Sequence, residues 1–445
     1  MASEWQEVAI GDIADVVGGG TPSTTDPSNF DGDIPWLTPK DLSGSHPRYI
    51  DRGERNLSAK GLASCSAQLL PVNSVLLSSR APIGYVAIAA SSIATNQGFR
   101  SLVLKPGYDH EFIYYWLSAN VEELERHASG STFRELSGGS LKKMRVRLPR
   151  DLAEQRAIAQ ILGSLDDKIE LNRRMSETLE GIARTIFTSW FVDFDPVRAK
   201  AEGRDPGLPQ PLADLFPDRL VDSELGEIPE GWDVGPLSQF FDIGLGGAWG
   251  EDEQSVRAAV AVRCLRGIDC HDLAEGHIPD VPVRWVSPKQ AADRELPEGA
   301  ILIEGSGSFC GRSMIWRRAY GELLGGPVGY SNFCKRLDPR CSAAQAAIVW
   351  MQMRQAYRDG LLQSFRTGTA FPNFDVHGAL SNLIVVVPPV PLAQAFGEMF
   401  ALSQRLDLMA QSRTLAALRD ALLPKLISGE LRVADAERFM ERVGS

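Results

Sequence analysis

WQEVAIGDIADVVGGG (residues 5–20) and WDVGPLSQFFDIGLGG (residues 232–247) are one passage written twice. With a shift of about 227 residues, Trp5 meets Trp232, Ile10 meets Leu237, Asp15 meets Asp242, and Gly19-Gly20 meet Gly246-Gly247. Later landmarks recur in the same order. LLPVNSVLL from Leu69 parallels ELPEGAILI from Glu295, and YYWLSA from Tyr114 parallels IVWMQM from Ile348. SGSTFREL from Ser129 parallels TGTAFPNF from Thr367, and MRVRLP from Met144 parallels IVVVPP from Ile384. A long helical pattern follows each copy. So long a period excludes a solenoid; it describes two copies of one domain plus one helix. Two such halves can approximate a molecular two-fold, a symmetry that B-DNA can match.

Each copy reads as α+β. In the first domain, residues 1–150, SVLL (74–77), GYVAIA (84–89) and RSLVL (100–104) are short apolar runs between turn residues, hence strands. EFIYYWLSANVEELERHA (111–128) places Phe112, Tyr115, Trp116 and Leu124 at helical spacing. In the second domain, residues 231–390, GAILIEG (299–305) and NLIVVV (382–387) read as strands, and 343–362 as the matching helix.

Residues 151–192 change period. Ile158, Ile161, Leu165, Met175, Leu179, Ile182 and Ile186 fall on heptad a and d positions, with Lys168 at d and Asn172 at a. That is a coiled-coil seam. A buried Asn172 would fix register; the alternative is that it faces solvent where the seam frays. The C-terminal helix, residues 391–433, repeats the pattern. Met399, Leu402, Leu406 and Met409 form a seam that Leu415, Leu418 and Leu422 continue after a stutter of four residues. Gly429 is the expected C′ residue, and residues 434–445 form a tail. If the halves obey a two-fold, the helices pair antiparallel. Residues 193–230 are Pro-rich and acidic and read as a linker with little regular structure.

The net charge of −11 argues against a simple nucleic-acid binder, but its distribution matters more. The linker alone carries −6, while the two domains carry −1 and −2. Local basic faces are therefore compatible with the total. The six cysteines are scattered without a CxxC, which suits reduced thiols in a cytoplasm. No apolar run reaches the length of a membrane span, and the N-terminal stretch lacks the signal-peptide pattern.

Catalytic signatures are missing. GGG at 18–20 runs into Thr21-Pro22 and reads as a turn, not a phosphate cradle. There is no HExxH, no GxSxG and no [NDS]PP[YFW] tetrapeptide of amino-methyltransferases. His271 and His277, near Cys270 and Asp272, suit a polar loop better than a metal site. What the chain offers is clustered cations. Arg126, Arg134, Lys142, Lys143, Arg145, Arg147 and Arg150 lie close to Ser131 and Thr132, a composition suited to phosphate contacts. Arg80, Asn96, Gln97 and Arg100 are the base-reading candidates of the first domain. In the second, Arg312, Arg317, Arg318, Asn332, Lys335, Arg336, Arg366, Thr367 and Thr369 are the counterparts. The bland alternative for both clusters is a solvated surface face.

Five passages in order resemble the specificity subunit of type I restriction-modification systems: GGGTPST (18–24), DIPWLTPKDL (33–42), LPRDLAEQRAIAQIL (148–162), GEIPEGWDVGPL (226–237) and LLPKLISGELRV (422–433). The resemblance implies a non-catalytic chain with two target recognition domains, each reading half of a split DNA sequence. The paired helices would act as the spacer. It implies two methyltransferase subunits and translocating restriction subunits as partners. S-adenosylmethionine and ATP with Mg would belong to those partners, with no cofactor in this chain. GGAWGED (246–252) departs from GGTPSTTD in the first copy, so the half-targets should differ. The competing reading is a coiled-coil adaptor that binds only protein; a self-contained methyltransferase is disfavoured by the missing tetrapeptide.

Overall fold

The computed structural model describes residues 4–44, 46–130, 134–399 and 402–444, without the side chains of 402, 403 and 439–444. The chain divides into two compact units, Met1–Glu170 with Thr414–Ser445, and Leu171–Arg413. Each unit holds one of the repeated domains and a portion of both long helices.

The duplication seen in the sequence extends to the register of the sheets. In the first unit a five-stranded sheet starts in the order Ala14–Gly18, Arg100–Leu104, Val75–Ser79, Ile83–Ala89. In the second unit a four-stranded sheet runs Phe241–Ile243, Cys334–Pro339, Ile301–Glu304, Ser313–Ile315. Leu102 lies between Val16 and Val75; Leu337 lies between Ile243 and Ile301. Both leucines are fully buried, because a central strand covered on both faces excludes water from either side.

A second small sheet also recurs. Phe30–Leu37 pairs antiparallel with Arg55–Leu57 and parallel with Ala94–Thr95. Val260–Leu265 pairs antiparallel with Val283–Val286 and parallel with Val328–Tyr330. Each domain closes on itself: Trp5–Ala9 pairs with Arg145–Pro149, and Asp233–Pro236 with Ile384–Val387. Helix N-caps are built alike, with Asp109 accepting from Phe112 N–H at 2.9 Å and Ser342 accepting from Gln345 N–H at 3.3 Å. The helix expected over 111–128 breaks at Asn120 into His110–Ala119 and Val121–Arg126.

The central helix spans Leu152–Phe191 and the C-terminal helix Leu402–Ser428, preceded by Val390–Met399. Gly429 follows with φ +74, a left-handed C′ glycine, and the tail forms a further helix, Val433–Gly444. Within the first unit Ile158, Ile161 and Leu165 are buried in one cluster with Leu422, Leu426 and Ile427; Leu415 and Leu418 pack on it half-buried. Asp166 meets Arg419 at 2.7 Å, and Glu154 meets Arg432 at 3.5 Å. Within the second unit Asn172 Nδ2 donates to Ser412 Oγ at 3.3 Å and Arg405 Nε to Ser176 Oγ at 3.1 Å. In both units rising numbers meet falling ones, so the pairing is antiparallel.

The heptad seam does not persist along the central helix. Asn172 is buried and Leu179 half-buried, but Met175 and Ile182 are exposed at 44% and 47%. The inner face instead runs through Asn172, Ser176, Glu180 and Phe187. A straight helix drifts about 20° per heptad from a 3.5 repeat, so the stripe leaves the interface after a few turns. Met399 is likewise exposed, the Leu402 side chain lies outside the described residues, and Leu406 and Met409 pack into the second domain's own core.

The connector is the larger correction. Residues 193–230 form helices Asp195–Ala201 and Gln210–Ala213 and the hairpin Leu220–Ser223 with Gly226–Pro229. Phe194, Val197, Leu212, Phe216 and Ile228 join Phe187, Phe191 and Trp232 in a buried cluster. Phe194 and Trp232 meet edge-to-face at 5.6 Å and 90°. Acidic and Pro-rich composition concealed a few apolar anchors placed far apart.

Glu180 is the charged centre of the second unit. Its carboxylate meets Arg354, Arg405 and Arg184, each at 3.0 Å. Burial pushes its pKa up, but Arg405 and Arg354 outweigh this and hold it below the ordinary carboxylate value. A depressed carboxylate contributes stability above its unfolded value near 4.5, and that contribution is lost as pH falls through the lowered folded value. Glu180→Gln should therefore cost about 2–3 kcal/mol in chemical unfolding at pH 7, by stranding buried guanidinium groups. The gap to wild type should narrow below pH 4; a gap that stays constant would show that the charge contributes nothing.

Candidate nucleic-acid interface

One end of each large sheet gathers three loops, and the same backbone bonds join them. In the first domain Ser79 N–H donates to Gly98 C=O at 2.7 Å, and Leu136 N–H to Ser79 C=O at 2.9 Å. In the second, Gly305 N–H donates to Phe333 C=O at 2.8 Å, and Phe374 N–H to Gly305 C=O at 2.9 Å. Loops anchored on a rigid sheet are where binding residues concentrate, because they can vary without disturbing the core.

In the first domain these loops bring together Arg80, Gln97, Arg100 and Glu135. Glu135 sits 2.8 Å from Arg100 and 3.6 Å from Arg80. Asn96 Oδ1 accepts from Gly98 N–H at 2.8 Å, so its carbonyl shapes the turn, while Gln97 is exposed and accepts from the Thr21 hydroxyl. Arg134 is exposed and donates to Glu125 C=O at 2.7 Å. Ser131 and Thr132 lie outside the described residues. Lys142 and Lys143 are exposed and end the helix Gly138–Lys143, capped by Ser137. The flanking cations are engaged: Arg145 with Glu7 at 3.2 Å, Arg150 with Glu4 at 3.7 Å, and Arg147 over the Trp5 ring.

The second domain's cluster differs from expectation. Arg312 and Glu304 form a pair at 2.7 Å, with side chains 12% and 14% exposed. Arg336 is 8% exposed and meets Asp338 at 2.8 Å. Arg317 meets Glu298 at 3.1 Å, and Arg366 donates to Cys310 C=O at 3.2 Å beside the Tyr357 ring. These four arginines are engaged within their own domain, and moving Arg312 to a phosphate would strand the nearly buried Glu304. The sequence displayed the cations but not which acids fold back onto them. Arg318, Asn332, Thr367 and Thr369 are exposed, Lys335 half-buried, and Thr367 Oγ1 donates to Asn373 C=O at 3.3 Å.

Sequence reasoning missed three aromatic side chains here. Phe309, Phe333 and Phe371 are 57%, 62% and 82% exposed on the same loop cluster. The available signal was a phenylalanine set among Gly, Ser, Asn and Pro, where turns leave a ring no core to enter.

The glycine motif has a geometric cause. A Cβ on Gly19 would stand 2.1 Å from Asn96 O, and one on Gly247 2.2 Å from Ser331 O. Both glycines let the segment after the first sheet strand pass close against the backbone of the 95–98 or 330–333 loop. Gly19 is thus matched in space by Gly247, one residue beyond the sequence pairing with Gly246.

Comparison with known proteins agrees with this architecture. Residues 2–181 match the sequence model described as the type I restriction modification DNA specificity domain. The type I restriction enzyme MjaIX specificity subunit of Methanocaldococcus jannaschii is 31% identical over 98% of this chain and 95% of its own. The HindI specificity subunit of Haemophilus influenzae is 36% identical over 27% of this chain and 26% of its own. A crystal structure of a type I restriction-modification S subunit from M. genitalium shares the fold, with TM-score 0.54, 16% identity and 96% coverage of both chains. The chain belongs to the family of type I restriction-modification specificity subunits. Its role is recognition of DNA, not catalysis. Among the described residues no His, Cys, Asp or Glu cluster could hold a metal, and no helix is long and apolar enough to cross a membrane.

The glycine geometry gives a sharp test. Gly19→Ala and Gly247→Ala should each destabilise by about 2–4 kcal/mol in thermal or denaturant unfolding, because backbone must move. Gly246→Ala, with nothing within 4 Å, and Gly18→Ala, whose nearest neighbour is a flexible arginine end at 3.5 Å, should stay within about 0.5 kcal/mol. Equal effects of Gly246→Ala and Gly247→Ala would overturn the one-residue offset.

Proposed function

We propose that residues 1–150 and 231–390 are two target recognition domains, each reading one half of a split, asymmetric DNA target. The observation that carries this is the repeated loop cluster: one scaffold, hydrogen-bonded alike, bearing different side chains. Arg80, Gln97 and Arg100 occupy the first copy; Asn332, Phe333 and Lys335 occupy the second. A shared frame with unlike contents suits two readers of unlike sequences. The helix pair then sets the distance between half-sites. Two methyltransferase subunits dock on the chain and translocating restriction subunits complete the complex. S-adenosylmethionine, and ATP with Mg, serve those partners, all within the cytoplasm.

The exposed pair Lys142 and Lys143 are the proposed backbone contacts of the first domain. Replacing both with Ala should weaken binding about equally for all sequences. Each phosphate neutralised contributes about 0.9 to the log–log salt slope, so the slope should fall by about 1 to 2. Gel-shift titrations of the methyltransferase-bound chain at several salt concentrations measure this, and an unchanged slope removes the pair from the interface.

The two-reader reading is tested by exchange. Replacing residues 231–390 with the corresponding domain of another family member should alter one half of the methylated motif and leave the other half intact. Mapping methylated adenines in cells expressing each version reads both halves at once. A change in both halves would refute independent reading, and retention of both would refute the assignment of the second domain.

A further inference from the structure

Phe309, Phe333 and Phe371 stand exposed on adjoining loops of the second domain. Exposed aromatic side chains occur singly on most surfaces, but several on adjoining loops mark a contact surface. Phe333 is joined to the loop 304–311 through Gly305 N–H, which donates to its carbonyl at 2.8 Å. On the other side of that loop Gly307 N–H donates to Pro372 C=O at 2.9 Å, next to Phe371. Phe309 lies within the loop, its carbonyl facing the Tyr357 hydroxyl at 3.5 Å. The Arg312 guanidinium stacks on the Phe309 ring, 4.4 Å from its centre, and is itself fixed by Glu304. The backbone carrying all three rings is therefore braced, and Arg312, the cation against the Phe309 ring, is already paired.

In the sequence repeat Phe371 meets another phenylalanine, Phe133, whereas the position of Phe333 is small in the first domain. Gly98 stands where the second domain has Phe333, and Arg80 lies just beyond Ser79, the counterpart of Gly305. The two clusters share a frame and differ in chemistry. A phenyl ring offers no hydrogen bond to a base edge. In the major groove the one apolar mark is the C5-methyl group of thymine.

We propose that Phe309, Phe333 and Phe371 are the specificity-determining surface of the second domain, and that they read thymine methyl groups in its half-site. The first domain reads its half with hydrogen-bonding groups instead. This rests on residues 231–390 being a DNA reader. A protein partner for the same surface is disfavoured by its position on the loops equivalent to those carrying Arg80 and Gln97, and is an outcome of the test.

The test uses the full-length chain co-purified with its methyltransferase subunits and a duplex bearing the methylation-mapped target. Deoxyuridine replaces thymidine, which removes only the methyl group. Substitution in the second half-site should weaken binding five- to ten-fold, and substitution in the first half-site less than two-fold. Phe309→Ala, Phe333→Ala and Phe371→Ala, singly and together, should lower affinity for the thymine duplex and abolish sensitivity to deoxyuridine. The salt slope should not change, since no phosphate contact is lost. Loss of sensitivity with retained subunit assembly supports the proposal. Deoxyuridine insensitivity of the wild-type complex, or unaltered DNA affinity of the triple variant, overturns it. Dissociation of the methyltransferase subunits from the variants would instead assign the surface to protein. Failure of the underlying reading has its own signature: scrambling the second half-site would leave wild-type affinity unchanged.

Discussion

A buried charge joins the corresponding helix of each domain to the central helix, and the seating of each domain on its own stretch of helix depends on it. In the first unit the helix His110–Ala119 supplies Tyr115, whose hydroxyl donates to Asp166 at 2.6 Å and accepts from Arg48 at 2.8 Å. Asp166 also binds Arg419, and Arg48 reaches Asp167 at 2.8 Å. Burial and the Asp166 charge push the pKa of the Tyr115 hydroxyl well above its usual value, so it stays a donor. In the second unit the helix Ala343–Arg358 supplies Arg354 to Glu180, which Arg405 shares. Apolar packing is tolerant of small rotations; a shared carboxylate with directed bonds is not. Each domain is held to its own stretch of helix in a defined orientation.

This division of labour explains why the arginines of the second domain read so differently once placed. Arg312, Arg317 and Arg336 are committed to Glu304, Glu298 and Asp338. They brace the strands and turns from which Asn332, Phe333 and Phe309 project. Cation counting in a sequence treats every Arg as available. In a folded domain of near-neutral charge, many are consumed by structure, and few, such as Lys142 and Lys143, remain exposed.

The duplication was legible because it left matched apolar runs and glycines in order. The strands around Leu77, Ala87 and Leu102 and the long helix from Leu152 were visible for the same reason, since local periodicity encodes them. The second small sheet was not, because Phe30–Leu37 pairs with strands distant in sequence and one of them in parallel. The connector defeated composition: Phe194, Phe216 and Trp232 bury only through partners supplied by the helices. Met175 and Ile182 were misread because a 3.5 repeat was extended along a helix that turns at about 3.6. The candidate residues Arg80, Gln97 and Arg100 do share one loop cluster. Which of their side chains face solvent depended on ion pairs that no spacing rule displays.

The closure of each domain has a consequence for inheritance. Trp5–Ala9 lies antiparallel to Arg145–Pro149, with Trp5 opposite Pro149, and Asp233–Pro236 lies likewise against Ile384–Val387. The chain therefore enters and leaves each domain at neighbouring points on one two-stranded ribbon. Everything between those points can be replaced by a stretch of unrelated sequence without lengthening a connection or threading the chain anew. A single crossover pair between genes, falling in the ribbon strands, would transplant a complete domain in one event. Variation in such a chain need not pass through gradual changes in its loops.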